Sequence, residues 1–205
     1  MKQRLPSAER SKELIEIAKA LFVDFGPEGV KLREIARRAG VSAPSVYYHF
    51  ASLEDLLAAI LEEHLDDLLE VHAAISALPP EKAVGELCKA HTKLLAENPA
   101  AAHLLMAHQQ LRAKLGPLRH ITEKMSSLNT AEAAIFKSGA SQGTFHEVDF
   151  QVVTLARLGM TITILSAHRT NSGMEQDQIA NTGETVAAFV LKILKATRES
   201  GDTHQ

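Results

Sequence analysis

Residues 32–50 read LREIARRAGVSAPSVYYHF, and the reading of this stretch decides the fold. Leu32, Ile35, Ala36 and Ala39 recur at helical spacing, which predicts a short amphipathic helix. Arg33, Glu34, Arg37 and Arg38 fall on its other face. Gly40 supplies the permissive backbone that stops a helix and turns the chain. Val41 is apolar inside that turn and is expected to plug the core. Ser42 is a favourable N-cap for a second short helix. Pro44 sits in that helix's first turn, where a missing N–H costs nothing. A helix, a short glycine turn and a capped helix make a helix-turn-helix, whose second helix enters the DNA major groove.

Working outward, Ala18–Gly26 (AKALFVDFG) ends a preceding helix whose buried stripe is Leu14, Ile17, Ala18, Leu21, Phe22 and Phe25. Ser7 is expected to cap that helix, with Glu9 favourable in its first turn. Gly26-Pro27 ends it, and residues 1–6 read as a mobile arm. Downstream, Ser52-Leu53-Glu54-Asp55 has the form of a capping box and opens a long fourth helix through about Leu78.

Taken as a set, these residues resemble the signature of TetR-type transcriptional regulators. Ile35-Ala36, Ala39-Gly40-Val41-Ser42 and Tyr47-Tyr48-His49-Phe50 carry the likeness, with AKALFVDFG before and SLEDLL after. It covers roughly the first 60 residues; the remainder matches only in length and helical character. Two positions depart from the family pattern. Lys31 stands where a capping Thr or Ser is usual; lysine cannot accept a backbone hydrogen bond, though it reaches phosphate as a point charge. Leu53 stands where Lys is usual and cannot bind phosphate, so non-specific affinity should lean on Lys31 and the arm.

The resulting DNA-binding candidates are Lys31, Arg33, Ser42, Ala43, Ser45, Tyr47, Tyr48 and His49. Ser45 can read a base edge or a phosphate, and Ala43 can touch a thymine methyl. The resemblance implies phosphate bonds from Tyr47 and His49. Tyr47 is expected to have a buried ring with its hydroxyl at the DNA, and Phe50 to pack on the first helix.

Charge supports a polyanion partner for the N-terminal part. Residues 1–52 hold nine Lys/Arg against six Asp/Glu, a net of +3, leaving 13 against 19, or −6, for residues 53–205 of a chain whose net charge is −3. The 205 residues are 45% hydrophobic and 4% aromatic, with no run of alternating β-branched residues, so the fold class is all-α with an aliphatic core. One cysteine, Cys88, rules out an internal disulfide framework and suits a cytoplasmic location. The polar N-terminus lacks a signal-peptide core, and no membrane span is expected.

Breakers at Pro79-Pro80, Asn98-Pro99, Gly116-Pro117, Gly139 and Thr170–Gly173 part further helices over about 81–98, 99–115, 118–138, 147–168 and 175–197. Ser141–Thr144 reads as a turn, and Asp149 or Glu147 as the opening of the eighth helix. Nine helices in this order match the family's two-domain architecture, parted along the fourth helix. The boundary is set here as 1–52, a three-helix DNA-binding domain, and 53–205, a helical ligand-binding and dimerisation domain.

Ten histidines invite a metal hypothesis, but their spacing does not support one. His103 and His108 diverge by about 140° around a helix, and His64 and His72 by about 80°. Cys88 and His91 share a face as half a site with no local partner. No nucleophile elbow, phosphate loop, zinc-protease motif or dinucleotide fingerprint occurs, so neither an enzyme nor a cofactor is expected. His91, His103, His108, Met106, Met125 and Phe136 interrupt otherwise aliphatic faces and are read as the walls of an effector pocket; the alternative is a filled core with satisfied histidines. Ala156, Gly159, Thr163 and Ala167 form a small-residue face on the eighth helix. Ile179, Gly183, Val186, Val190, Ile193 and Leu194 form a stripe on the last. The resemblance makes these two helices the homodimer interface; the alternative is packing within the chain. It implies a cytoplasmic homodimer that binds a palindromic double-stranded operator and is released by a small hydrophobic effector. The rivals are an activator of the same family, an enzyme on a helical fold, and a ligand-free architectural DNA-binding protein.

Overall fold

The computed structural model describes residues 6–106, 119–168 and 174–195. Among them are nine helices and no strand: α1 (Ser7–Gly29), α2 (Leu32–Ala39), α3 (Ala43–His49), α4 (Leu53–Ile75), α5 (Pro80–Glu97), α6 (Pro99–Met106), α7 (Arg119–Ser141), α8 (Phe150–His168) and α9 (Gln176–Lys195). The expected arm at 1–5, the continuation of the sixth helix past Met106 and the Thr170–Gly173 loop lie outside the described residues. The chain divides into two compact units. One comprises Met1–Asp67 with Glu97–Met125, the other Leu68–Ala96 with Ser126–Gln205. The division falls inside α4 and inside α7.

In the first unit α1, α2 and α3 pack on one another. Leu14, Ala18, Leu21 and Phe22 of α1 are buried with Leu32, Ile35, Ala36 and Ala39 of α2, as the spacing predicts. Each fully buried Leu, Ile or Phe among them contributes about 1.5–3 kcal/mol. Phe25 departs from the expected stripe and is 60% exposed. Gly26 (φ 70°, ψ 176°) breaks the helical run just after it, and its ring instead meets the Arg38 guanidinium at 5.9 Å. Gly40 adopts the left-handed conformation (φ 66°, ψ 34°), with its N–H on the Ala36 and Arg37 carbonyls, and so terminates α2. Val41 is only half-buried; the plug is Val46, which is fully buried.

Two expected caps do not form. Ser7 is the first residue inside α1, not its cap, and its carbonyl accepts from Ser11 Oγ at 3.2 Å. Ser42 stands at the N-cap of α3, but its side chain makes no capping bond; its carbonyl takes the Ser45 N–H at 3.0 Å. Lys31 leaves the α2 N-terminus without a side-chain cap. Ser52 does cap α4, accepting the Asp55 N–H at 3.0 Å. α4 ends at Ile75, before the expected Leu78, in a turn leading to Pro79-Pro80. Asn98 Oδ1 caps α6 through the Ala101 N–H at 3.1 Å.

In the second unit, α7 runs through Gly139 to Ser141 instead of stopping near it. The Phe145 ring occupies the space a Cβ at 139 would need, with a ring carbon 2.0 Å from that point. Gly139 therefore serves close packing, and Gly143 (φ 70°) makes the turn. Asp149 caps α8, its Oδ1 accepting the Gln151 N–H at 2.9 Å. Val84, Cys88, Phe136, Phe145, Val153, Val186, Ala187, Val190 and Leu194 form the core. α8 is long and apolar enough to cross a membrane by length and composition. It also carries Arg157 at its centre, in an ion pair with Glu132 of α7.

Candidate functional site

α3 is held at its inner edge by Val46 and Phe50, one helical turn apart and both buried. The residues between them face outward. Tyr48 is 81% exposed and Tyr47 50% exposed, while Ala43, Ser45 and His49 are half-buried and Ser42 is exposed. The expected buried ring of Tyr47 is thus corrected. One residue past Val46 turns it about 100° from the core-facing edge. The Tyr48 and His49 rings meet edge-on at 5.2 Å. His49 Nδ1 lies 2.9 Å from Ser11 Oγ, which ties the end of α3 to α1. Sequence reading passed over Ser11, because its partner is 38 residues away.

The cations of this module fall into two groups. Arg37 makes a two-pronged bond to Glu34 (Nε–Oε2 2.8 Å, Nη2–Oε1 2.6 Å), and Arg38 lies 3.4 Å from Glu34 and 3.8 Å from Asp24. Those bonds, Arg37's first, hold the Glu34 carboxyl below its usual range. Lys19 bonds Glu16 and Glu63, each at 2.7 Å, and Arg10 pairs with Glu13. Among the described residues, Lys12, Lys31 and Arg33 are exposed with no ion pair. Lys12 was not singled out from the sequence. Exposed cations of this kind can meet phosphate without first breaking a bond.

The expected pocket residues divide between the units. His91 and Phe136 lie in the second unit, both buried. His103 and Met125 lie in the first. Met125 is half-buried. His103 is exposed, its Nδ1 donating to the Pro99 carbonyl at 2.9 Å, so it faces out from α6 rather than into a pocket. The Met106 side chain and His108 lie outside the described residues. Around His91 stands a buried polar cluster that spacing did not reveal. Arg157 Nε and Nη2 donate to Glu132 Oε1 (3.2 Å) and Oε2 (3.0 Å), and Nη1 donates to His91 Nδ1 (2.8 Å). Thr154 Oγ1 donates to Glu132 Oε1 at 2.9 Å. Accepting from arginine leaves His91 as the neutral Nε2–H tautomer. The sequence signal was the lone Arg157 in an apolar helix, since a buried charge must be paired. Burial pushes the nearby Cys88 thiol up to about 11. Among the described residues, no three of His, Cys, Asp and Glu gather as metal ligands. A separate cleft of about 400 Å³ opens beside the end of α7, lined by Phe136, Lys137, Ala140, His146, Val148 and Phe150.

The expected dimer residues also divide. Ala156, Thr163 and Ile193 are exposed, and Gly159 is half-buried with open space beyond it. Val186 and Val190 are buried within the chain, as part of its own core. They face inward, in one cluster with Val84 and Cys88 of α5, Phe136 of α7 and Val153 of α8. Val152 (60% exposed), Leu155 (67%) and Phe189 (48%) lie on the outer side instead.

Known proteins place this geometry in context. Residues 14–60 match the family model of bacterial regulatory proteins, tetR family. The HTH-type transcriptional activator FasR of Mycolicibacterium smegmatis is 46% identical over 66 residues, 32% of this chain and 30% of that protein. The HTH-type transcriptional repressor KstR2 of the same organism is 24% identical over 201 residues, covering 96% of this chain and 95% of that one. The solved structure of the ketosteroid transcriptional regulator KstR2 of Mycobacterium tuberculosis has the same fold. Its TM-score is 0.74 at 23% identity, over 92% of this chain and 96% of that one.

Proposed function

The chain is a TetR-family transcriptional regulator, and from that premise we propose that it is a cytoplasmic, effector-responsive repressor that binds a palindromic operator as a homodimer. The observation that carries this reading is the outer surface of α3. Tyr47 and Tyr48 stand clear of the core and Ser45 is half-buried on a helix anchored by Val46, with Lys31 and Arg33 of the same module exposed and unpaired among the described residues. Ser45 and Ala43 read base edges; Tyr47, His49, Lys31 and Arg33 hold the phosphate backbone. The DNA-binding domain is residues 1–52, and residues 53–205 hold the effector and join the two copies. Joining runs through the outer faces of α8 and α9. Repression is favoured over activation because KstR2, aligned over nearly the whole chain, is a repressor, whereas FasR is matched over 66 residues only.

A small apolar effector in the second domain favours a state whose two recognition helices no longer fit successive major grooves. By reciprocity, whatever factor the effector takes from DNA affinity, DNA takes from effector affinity. The test is selection of bound DNA by the full chain from a random pool. An inverted repeat with half-sites about 10 bp apart, or a multiple of that, is expected. Tyr47→Phe should then weaken binding to every sequence, by about 1.5–3 kcal/mol for a lost bond to charged phosphate. Ser45→Ala should change the preferred base at one position per half-site. Selection of no sequence, or both variants binding like the parent, would remove α3 as the reading element. A reporter gene behind the selected operator gives the sign of regulation.

A further inference from the structure

His72 of α4 continues a helical stripe of buried apolar residues, Leu61, Leu65 and Leu68 before it and Ile75 after it. A leucine there would complete the stripe at no polar cost. The imidazole is instead 5% exposed, and among the described residues neither Nδ1 nor Nε2 has a hydrogen-bond partner. A buried polar group with nothing to bond is expensive in a native protein and calls for an explanation. Its charged neighbours do not provide one. Glu132 and Arg157 lie within electrostatic range, but both are committed to each other, to Thr154 and to His91.

We propose that His72 is the polar anchor of the effector site, and that the effector is an apolar molecule presenting an uncharged hydroxyl group to it. This rests on the reading of the chain as an effector-responsive regulator. Three observations select the chemistry. First, Arg157 and Glu132 cancel each other, so the cluster beside His72 has no net charge to offer. A carboxylate would have to displace Glu132 from Arg157 or be buried uncompensated, and both are costly. Second, burial and the Arg157 charge favour the neutral ring, with only Glu132 opposing them. A neutral imidazole offers one N–H donor and one bare nitrogen acceptor. A hydroxyl answers either edge; a ketone answers only the donor. Third, Leu68 and Ile75, above and below His72 on the same face, leave the rest of the ligand apolar surroundings.

The experiment uses the full chain with two alcohols, octan-1-ol and decahydro-2-naphthol, and their carboxylate counterparts, octanoate and decahydro-2-naphthoate. Binding is followed by calorimetry and by the carbon–proton signals of the histidine rings, with His72 assigned by its loss in His72→Leu. At least one alcohol should bind the parent and move the His72 signal. Its carboxylate should bind at least ten-fold more weakly. His72→Leu, which keeps side-chain bulk and removes two orphaned nitrogens, should bind the alcohol at least ten-fold more weakly. The inference is overturned if neither alcohol binds, if His72 does not respond, if the carboxylate binds as tightly, or if the variant binds like the parent. The ring signals of the parent decide the matter even if the variant fails to fold. DNA binding measured on the same preparation separates the two readings. A parent that binds its selected DNA but no alcohol loses only the effector class, whereas one that selects no DNA loses the regulator reading itself.

Discussion

Arg157 and Glu132 show how a single pair constrains the second unit. Both side chains are almost fully buried, and their charges are tolerable only together. Glu132→Ala leaves a buried guanidinium without its counter-charge and should cost about 3–5 kcal/mol, read as a fall in the urea midpoint. Replacing both, Glu132→Leu with Arg157→Met, should recover most of that loss; a double variant as unstable as the single one would show that the pair is not the source. His64, in the first unit, is a second buried titratable group. It is 1% exposed, and burial lowers its pKa from 6.5 to about 4. Between those values the unfolded chain binds a proton that the folded chain refuses, so stability falls as pH drops through this window. The loss between pH 7 and pH 5 should be about 2 kcal/mol at one site. His72, shifted in the same direction by burial, adds to it. Urea unfolding at the two pH values checks this, and His64→Leu should flatten the dependence without abolishing it. Equal stability of the parent at both pH values would contradict a neutral, buried ring.

At the scale of elements, α8 and α9 present Val152, Leu155, Phe189 and Ile193 outward, although such side chains belong under cover. If this face is the seam between two copies, Phe189→Glu should give monomers by light scattering with little change in thermal stability. Val190→Glu should behave differently. Val190 is 2% exposed within its own chain, so a carboxylate there unfolds the second unit instead of parting a dimer. A dimeric Phe189→Glu would move the interface elsewhere. The contrast also shows what periodicity can tell. The stripe containing Val186 and Val190 is plainly apolar in the sequence, but a stripe does not say whether its cover comes from the same chain or another. The helices themselves were legible, because α2 and α3 are bounded by Gly40, Ser42 and Pro44 and patterned every three to four residues. Cap chemistry was less so: Ser7 and Ser42 have the right side chains, but neither makes the bond. Least legible were contacts over long sequence separation, such as Ser11 with His49 and Arg157 with Glu132, which no spacing rule contains.

Taken whole, the chain is acidic, with a net charge of −3, yet it is read as binding the most acidic of polymers. The division of charge resolves this, since residues 1–52 carry +3 and the remainder −6. Fields from exposed charges fade over about 10 Å at 0.1 M salt, so DNA at α3 responds to the basic module rather than to the whole molecule. Within that module the free cations, not all the cations, should set the salt dependence. Each phosphate neutralised adds about 0.9 to the slope of log affinity on log salt. Lys31 and Arg33 are exposed and unpaired among the described residues. Arg37 is already neutralised by both oxygens of Glu34. Lys31→Gln and Arg33→Gln should therefore each lower the slope by about one, and affinity should fall alike for operator and unrelated DNA. Arg37→Gln should leave the slope nearly unchanged, because its charge and that of Glu34 cancel before DNA arrives. Fluorescence anisotropy on the selected operator between 50 and 200 mM salt, on the order of the range where such slopes are read, measures all three. A drop for Arg37→Gln as large as that for Arg33→Gln would mean that the Arg37–Glu34 pair opens on DNA, and that phosphate outcompetes a two-pronged carboxylate on the face of α2.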